Sequence, residues 1–179
     1  MKKIVLTGAP HSGKSTVIDG LAKKGYNVVP EAAIQVIEAI QALVPNGDLE
    51  WRRHYFESFQ WLISQRQQEL ELQTSKALTF YDRGAYDGYG FAAHHGAAIP
   101  KLVADMCSKS TYDMVFLLDL VTPFDPRSDT SRIETIEDCK ELQERLNLAY
   151  MDFGYEPVFV PLMSVEDRIE FILDRINKQ

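Results

Sequence analysis

The octet Gly8-Ala9-Pro10-His11-Ser12-Gly13-Lys14-Ser15, with Thr16 directly after it, is the stretch whose residue types and spacing specify chemistry most directly. It satisfies the phosphate-cradling pattern G-x-x-x-x-G-K-[ST]. Gly8 and Gly13 let the backbone curl, so that successive N–H groups face anionic oxygens. Lys14 brings a point charge to the β- and γ-phosphates, and the Ser15 hydroxyl can complete a Mg²⁺ shell. The loop opens a helix whose first N–H groups favour an anion. Gly8 to Thr16 are therefore expected to hold a nucleoside triphosphate, ATP or GTP, with Mg²⁺.

Other candidates stand at the ends of apolar segments. Asp82 follows Leu78-Thr79-Phe80-Tyr81 and is the preferred second metal ligand, since Arg83 beside it suits a phosphate-facing site and Gly84 permits close backbone approach. Asp119 ends Val115-Phe116-Leu117-Leu118 in the same loose pattern, and a structural role fits it better. Glu31, just after Pro30, can accept a proton from a hydroxyl attacking the γ-phosphate, or it can be a first-turn Glu favoured by the helix dipole. Arg127 and Arg132 lie in a polar loop where a lid would bring guanidinium groups onto a moving phosphoryl group. Asp125 and Asp129 are near enough in sequence to neutralise them instead. His94 and His95 are adjacent, so their side chains diverge and suit no metal. Trp51, Tyr55, Phe56, Phe59 and Trp61 read mostly as core packing, with one or two lining a base or ring pocket as the alternative, whereas Tyr86 and Tyr89 lie closer to the expected site.

The elements that must position these groups alternate along the chain. Lys3 to Thr7, Tyr26 to Val29, Leu78 to Tyr81, Val115 to Leu118 and Pro157 to Val160 read as strands. Helices are expected from the loop lysine to Gly25, from Glu31 to Leu43, from about Leu49 to Thr74, ahead of Lys109, from about Thr135 to Phe153, and after Ser164. Phe56, Phe59, Leu62, Ile63 and Leu70 form the apolar side of the long third helix. Pro45-Asn46-Gly47-Asp48 is a turn signal. Alternating strands and helices predict an α/β, three-layer fold with a five-stranded, mainly parallel sheet. In such sheets ligands bind beyond the carboxyl ends of the strands.

The 179 residues suit a single domain, 1–179, with a lid at 121–134. A net charge of −7 argues against broad binding to nucleic acid or anionic lipid, so positive charge for a phosphorylated ligand must be gathered locally. Two separated cysteines suggest neither a zinc site nor a disulfide framework and fit a reducing, cytoplasmic setting. The chain starts on an apolar strand, which predicts no signal peptide ahead of the fold, and no apolar run reaches membrane-spanning length.

With these motifs in place, the chain resembles the NadR-like ATPase/kinase family of P-loop proteins, often labelled AAA family ATPases. The resemblance rests on Thr7 to Thr16, on Gly25-Tyr26-Asn27-Val28-Val29-Pro30-Glu31-Ala32-Ala33 and on Phe80-Tyr81-Asp82-Arg83-Gly84. It continues through Asp129, Arg132 and Glu134 to Gly154-Tyr155-Glu156. It implies the strand order 2-3-1-4-5 of nucleoside and nucleotide kinases. It also implies a carboxylate at Glu31 that handles an acceptor hydroxyl, and a lid arginine at Arg132. Phe124-Asp125-Pro126 departs from the commonest family wording, so Arg127 is less securely matched. The expected activity is transfer of the γ-phosphoryl of Mg-ATP to a nucleoside-like small molecule. A regulatory or trafficking module that binds ATP or GTP, or a standalone ATPase, is the alternative. No N/T-K-x-D guanine-reading motif is present, which disfavours a signalling-type GTPase. A kinase needs a second pocket facing the γ-phosphate, lined by Glu31 and Arg83, with Tyr86 as a further candidate.

Overall fold

Leu6 lies opposite Asp82 in the sheet, and Val29 lies opposite Tyr81. This register brings the chemistry-bearing chain ends together. The computed structural model describes residues 1–43, 51–122 and 135–178. Its strands are β1 (Lys2–Thr7), β2 (Asn27–Val29), β3 (Leu78–Asp82), β4 (Met114–Leu118) and β5 (Val158–Val160). They pair in the order β2-β3-β1-β4-β5, every neighbouring pair parallel. Eight helices are described: α1 (Lys14–Lys23), α2 (Ala32–Leu43), α3 (Trp51–His54), α4 (Phe56–Gln73), α5 (Asp87–His94), α6 (Lys101–Cys107), α7 (Ile136–Asp152) and α8 (Val165–Asn177). The fold is the expected P-loop α/β architecture.

Alternation along the strands builds an apolar layer on each face of the sheet, as a parallel sheet covered on both sides requires. Ile4, Leu6, Phe80, Phe116 and Leu118 face α1 and α8, packing on Val17, Leu21, Ile169 and Ile172. Val5, Tyr81 and Val115 face the other way, onto Tyr86, Val103, Tyr112 and Tyr150. Thr135 and Asp138 form a capping box that starts α7, and Ser164 caps α8 through the Asp167 N–H.

Two expectations need correction. The long third helix breaks at Tyr55, and its buried positions are Gln60, Ser64, Gln67 and Glu71 rather than the aromatics. Phe56, Phe59, Leu62, Ile63 and Leu70 are only half-buried, while Tyr55 and Trp61 are exposed. The polar stripe goes inward because it lines a cavity and a hydrogen-bonded cluster instead of an oily core. The glycine- and aromatic-rich segment after Gly84 contains α5, which its composition conceals. There Gly88 and Gly90 serve close approach: a Cβ at Gly90 would stand 2.9 Å from the Leu146 Cα of α7. The 45–48 turn lies outside the described residues, as does nearly all of the 121–134 loop.

Candidate active site

The phosphate loop joins β1 to α1 in a backbone conformation that glycine makes possible. Gly8 and Gly13 have φ of 154° and 73°, and His11 also sits at positive φ, 64°. A Cβ on Gly8 would come within 2.8 Å of Ser12 Oγ and 3.0 Å of the Leu118 carbonyl. No side chain caps α1, so the N–H groups of Lys14, Ser15 and Thr16 keep no helical or capping acceptor. Ser15 and Thr16 are exposed beside them, with Ala9 and Ser12 buried and Pro10 and His11 intermediate. The loop is braced from behind. Gln143 of α7 accepts from the Ala9 N–H at 2.8 Å and donates to the Leu118 carbonyl at 2.7 Å. Arg168 of α8, 2% exposed, donates to the carbonyls of Ser12, Asp119 and Pro161.

The sheet order sets Lys14, Glu31, Asp82 and Arg83 side by side. Lys14 Nζ pairs with Asp82 Oδ1 and stands 3.4 Å from Glu31 Oε2. The other Glu31 oxygen lies 3.2 Å from Arg83 Nε, an ion-pair contact without hydrogen-bond geometry. Burial pushes the Glu31 carboxyl upward, but the charges of Arg83 and Lys14 outweigh it and hold the group below its ordinary range. Asp82 goes the other way: burial, reinforced by the Glu31 charge, raises it despite Lys14 and Arg83. Burial alone would lower Arg83, yet Glu31 and Asp87 keep the guanidinium firmly protonated.

Arg83 adopts φ of 69°, unusual for a residue with a side chain, and its N–H donates to the Leu6 carbonyl at 3.0 Å. Asp87 at the start of α5 accounts for this placement. Its carboxylate, 4% exposed, accepts from Arg83 Nη1 at 2.8 Å, Thr7 Oγ1 at 2.6 Å, Tyr150 Oη at 2.6 Å and the Gly84 N–H at 3.0 Å. Sequence reasoning missed Asp87, Arg168 and Gln143. The available signal for Asp87 was an acid four residues after Arg83, the spacing of a helical ion pair. Arg168 and Gln143 offered none, because each acts on main-chain atoms far away in sequence.

A cavity of about 650 Å³ opens beside this cluster, within the range of small-molecule sites. Glu31, Arg83 and Asp87 form its charged end; Phe56, Phe59, Ile63 and Phe91 supply apolar walls, and Gln60, Ser64 and Gln67 a polar one. The Arg83 guanidinium lies 5.0 Å above the Phe91 ring. Phe56 and Phe59 are thus cavity walls and not core. Tyr86 is a correction of the opposite kind. It is 4% exposed, donates to the Ser110 carbonyl and stacks on Phe153, so it does not reach the cavity. Asp119 accepts the Leu120 N–H with its own carboxylate and offers its carbonyl to Arg168, in keeping with a structural role. Arg127 and Arg132 lie outside the described residues. Among those described, no helix is long and apolar enough to cross a membrane.

With the geometry in view, comparison with known proteins gives a consistent picture. A family model described as an AAA domain matches residues 3–168. No curated protein matches the chain by sequence. Among solved structures, NadR protein in complex with NR is similar at a TM-score of 0.69 and 18% identity, over 99% of this chain and 51% of that one. Deoxyadenosine kinase from M. mycoides with bound dCTP is similar at 0.68 and 18%, over 99% and 100% of the two chains. Thymidylate kinase from Ehrlichia chaffeensis follows at 0.61 and 13%, over 98% of each. Nucleoside and nucleotide kinases thus share this fold across the full length of the chain. The chain belongs to the AAA domain family whose model spans residues 3–168, the NadR-like P-loop proteins that its motifs resemble.

Proposed function

We propose that the protein is a P-loop phosphotransferase that moves the γ-phosphoryl of Mg-ATP onto a hydroxyl of a nucleoside-like acceptor. One observation carries this reading: Glu31 touches the phosphate-loop lysine at 3.4 Å and at the same time lines a ring-sized cavity. A nucleotide-binding regulator needs no such second chamber joined to its phosphate loop. The cavity has the chemistry for a planar polar ring attached to a hydroxylated unit, with aromatic walls to stack on, carboxamides to read ring edges, and acid with arginine at the reacting end. The similar structures named above include NadR protein in complex with NR and a deoxyadenosine kinase with bound dCTP, and those ligands belong to the same chemical class.

Each group then has a role. The N–H groups at the start of α1 and the Lys14 ammonium hold the phosphates, Lys14 exchanging its carboxylate partners for phosphate oxygens. Ser15 and Asp82 present hard oxygen donors, which fit an ion that binds few protein ligands alongside phosphate and water. Mg²⁺ bound there supplies charge neutralisation on the phosphates. Glu31 orients the acceptor hydroxyl and takes its proton. A carboxylate held below its ordinary range is a weak base, which suffices because phosphoryl transfer has a loose transition state and deprotonation comes late. Arg83 balances charge on the moving group.

The deciding experiment incubates the purified protein with Mg-ATP and a panel of nucleosides and nicotinamide riboside, following ADP and phosphorylated product together. Product from one acceptor class is expected, with Glu31→Gln and Asp82→Asn each lowering kcat by about 10²–10⁴-fold. ADP and free phosphate without acceptor dependence would identify a hydrolase. Nucleotide binding without turnover would favour the regulatory module.

A further inference from the structure

Glu71 lies one turn of α4 beyond Gln67 and is 8% exposed. Among the described residues, its carboxylate is met by donors. Lys3 Nζ stands 3.4 Å from Oε2, while Tyr112 Oη and Gln67 Nε2 donate to Oε1 at 2.7 and 3.0 Å. The Tyr112 oxygen is already occupied as an acceptor by the Ala85 N–H at 2.7 Å, so its single hydrogen belongs to Glu71. Burial and the Glu71 charge hold the Tyr112 phenol well above its ordinary range, which keeps that hydrogen in place.

A carboxylate paired with a lysine accepts only, so Gln67 has one permitted orientation. Its NH₂ turns to Glu71, and its Oε1 is left without a protein donor among the described residues. Gln67 is 4% exposed and lines the cavity, so the oxygen that Glu71 does not engage is available there to a donor on a ligand. Gln60, two turns earlier on the same wall, is different. It is 5% exposed and its carboxamide packs on Gly88, but among the described residues no hydrogen bond fixes which end is oxygen and which is nitrogen. Gln60 can therefore turn to suit a donor or an acceptor, whereas Gln67 cannot.

We propose that Gln67, locked by Glu71, is a specificity-determining hydrogen-bond acceptor. It selects ligands whose ring carries an exocyclic amine or a carboxamide NH₂ over isosteric compounds with a carbonyl or carboxylate in that place. Glu71 is the positioning residue behind it. The kinase reading supplies the ligand class, but the discrimination is a property of binding and is read without turnover.

The experiment measures Kd by calorimetry, without nucleotide, for matched pairs: cytidine with uridine, adenosine with inosine, and nicotinamide riboside with nicotinic acid riboside. In the pair that the cavity accepts, the amine or carboxamide member is expected to bind at least tenfold tighter. Gln67→Met, similar in length and flexible, brings that ratio to within about twofold, and Glu71→Gln narrows it by letting the Gln67 carboxamide turn over. A purely structural role for either residue would weaken both members of a pair equally and leave the ratio intact. Should either variant fail to fold, the wild-type ratio still decides. The proposal is overturned by no binding in any pair, by no preference or the reverse preference, or by a ratio that survives Gln67→Met. Binding with the expected ratio but no phosphorylated product on adding Mg-ATP would sink the kinase reading alone. Product without discrimination would sink this inference alone.

Discussion

Asp87 shows how a single carboxylate organises the charged end of the cavity. Four donors converge on it from β1, the turn after β3, Arg83 and α7, so Arg83 is held in a backbone conformation that it would not adopt unaided. Asp87→Asn puts an NH₂ among those donors and leaves the buried guanidinium short of a counter-charge. Breaking a buried pair in this way is expected to destabilise the protein by about 3–5 kcal/mol. Tyr150→Phe, which removes one hydroxyl, is expected to cost only about 1–2 kcal/mol. Urea denaturation of both variants checks the ranking. Equal and small effects would mean that the convergence on Asp87 is not what secures Arg83. The phosphate-loop glycines, Lys14 and Ser15 were legible in the sequence because each has its own stereochemical necessity over eight consecutive residues. Glu31, Asp82 and Arg83 were legible only as strand-end candidates.

At the scale of elements, strands and their alternation were readable because parallel strands covered on both faces are nearly uniformly apolar. The two helices that frame the cavity were harder. The α4 stripe Gln60, Ser64, Gln67 and Glu71 is polar yet buried, which inverts the pattern that identifies an inward face. In α5 the glycines argue against a helix until α7 is seen lying on it. Gly90→Ala tests that account. Its Cβ would meet Leu146 backbone atoms at 2.9 and 3.0 Å, which no side-chain rotation relieves, so α5 must move away from α7. A loss of about 1–3 kcal/mol is expected in place of the gain that alanine gives in an exposed helix. A higher melting temperature for Gly90→Ala would show that the two helices separate without cost.

For the molecule as a whole, the sheet order makes the phosphate loop and the cavity neighbours, so the proposed reaction requires triphosphate and acceptor-like ligand to bind at adjoining sites. A triphosphate with Mg²⁺ at 100-fold above its Kd is expected to raise the melting temperature by about 5–10 °C. Lys14→Ala should abolish that shift while leaving the response to a nucleoside, because Lys14 belongs to the phosphate side. Scanning calorimetry with each ligand separately provides the check. A Lys14→Ala protein still stabilised by triphosphate would show that the loop does not hold the phosphates.

By itself, the sequence determined the phosphate-loop motif and the alternating α/β plan, since these follow from backbone stereochemistry and periodicity, and its net charge required that any positive charge for an anionic ligand be gathered locally. Only the tertiary structure decided that Glu31 faces both Lys14 and a cavity, that Asp87 holds Arg83, and that Phe56 and Phe59 are walls and not core. It likewise decided that Gln67 has one orientation. Each of these depends on which strands are neighbours and which helix faces point inward. Contacts such as Thr7 with Asp87, or Lys3 with Glu71, join residues far apart in the chain, where no local propensity records them.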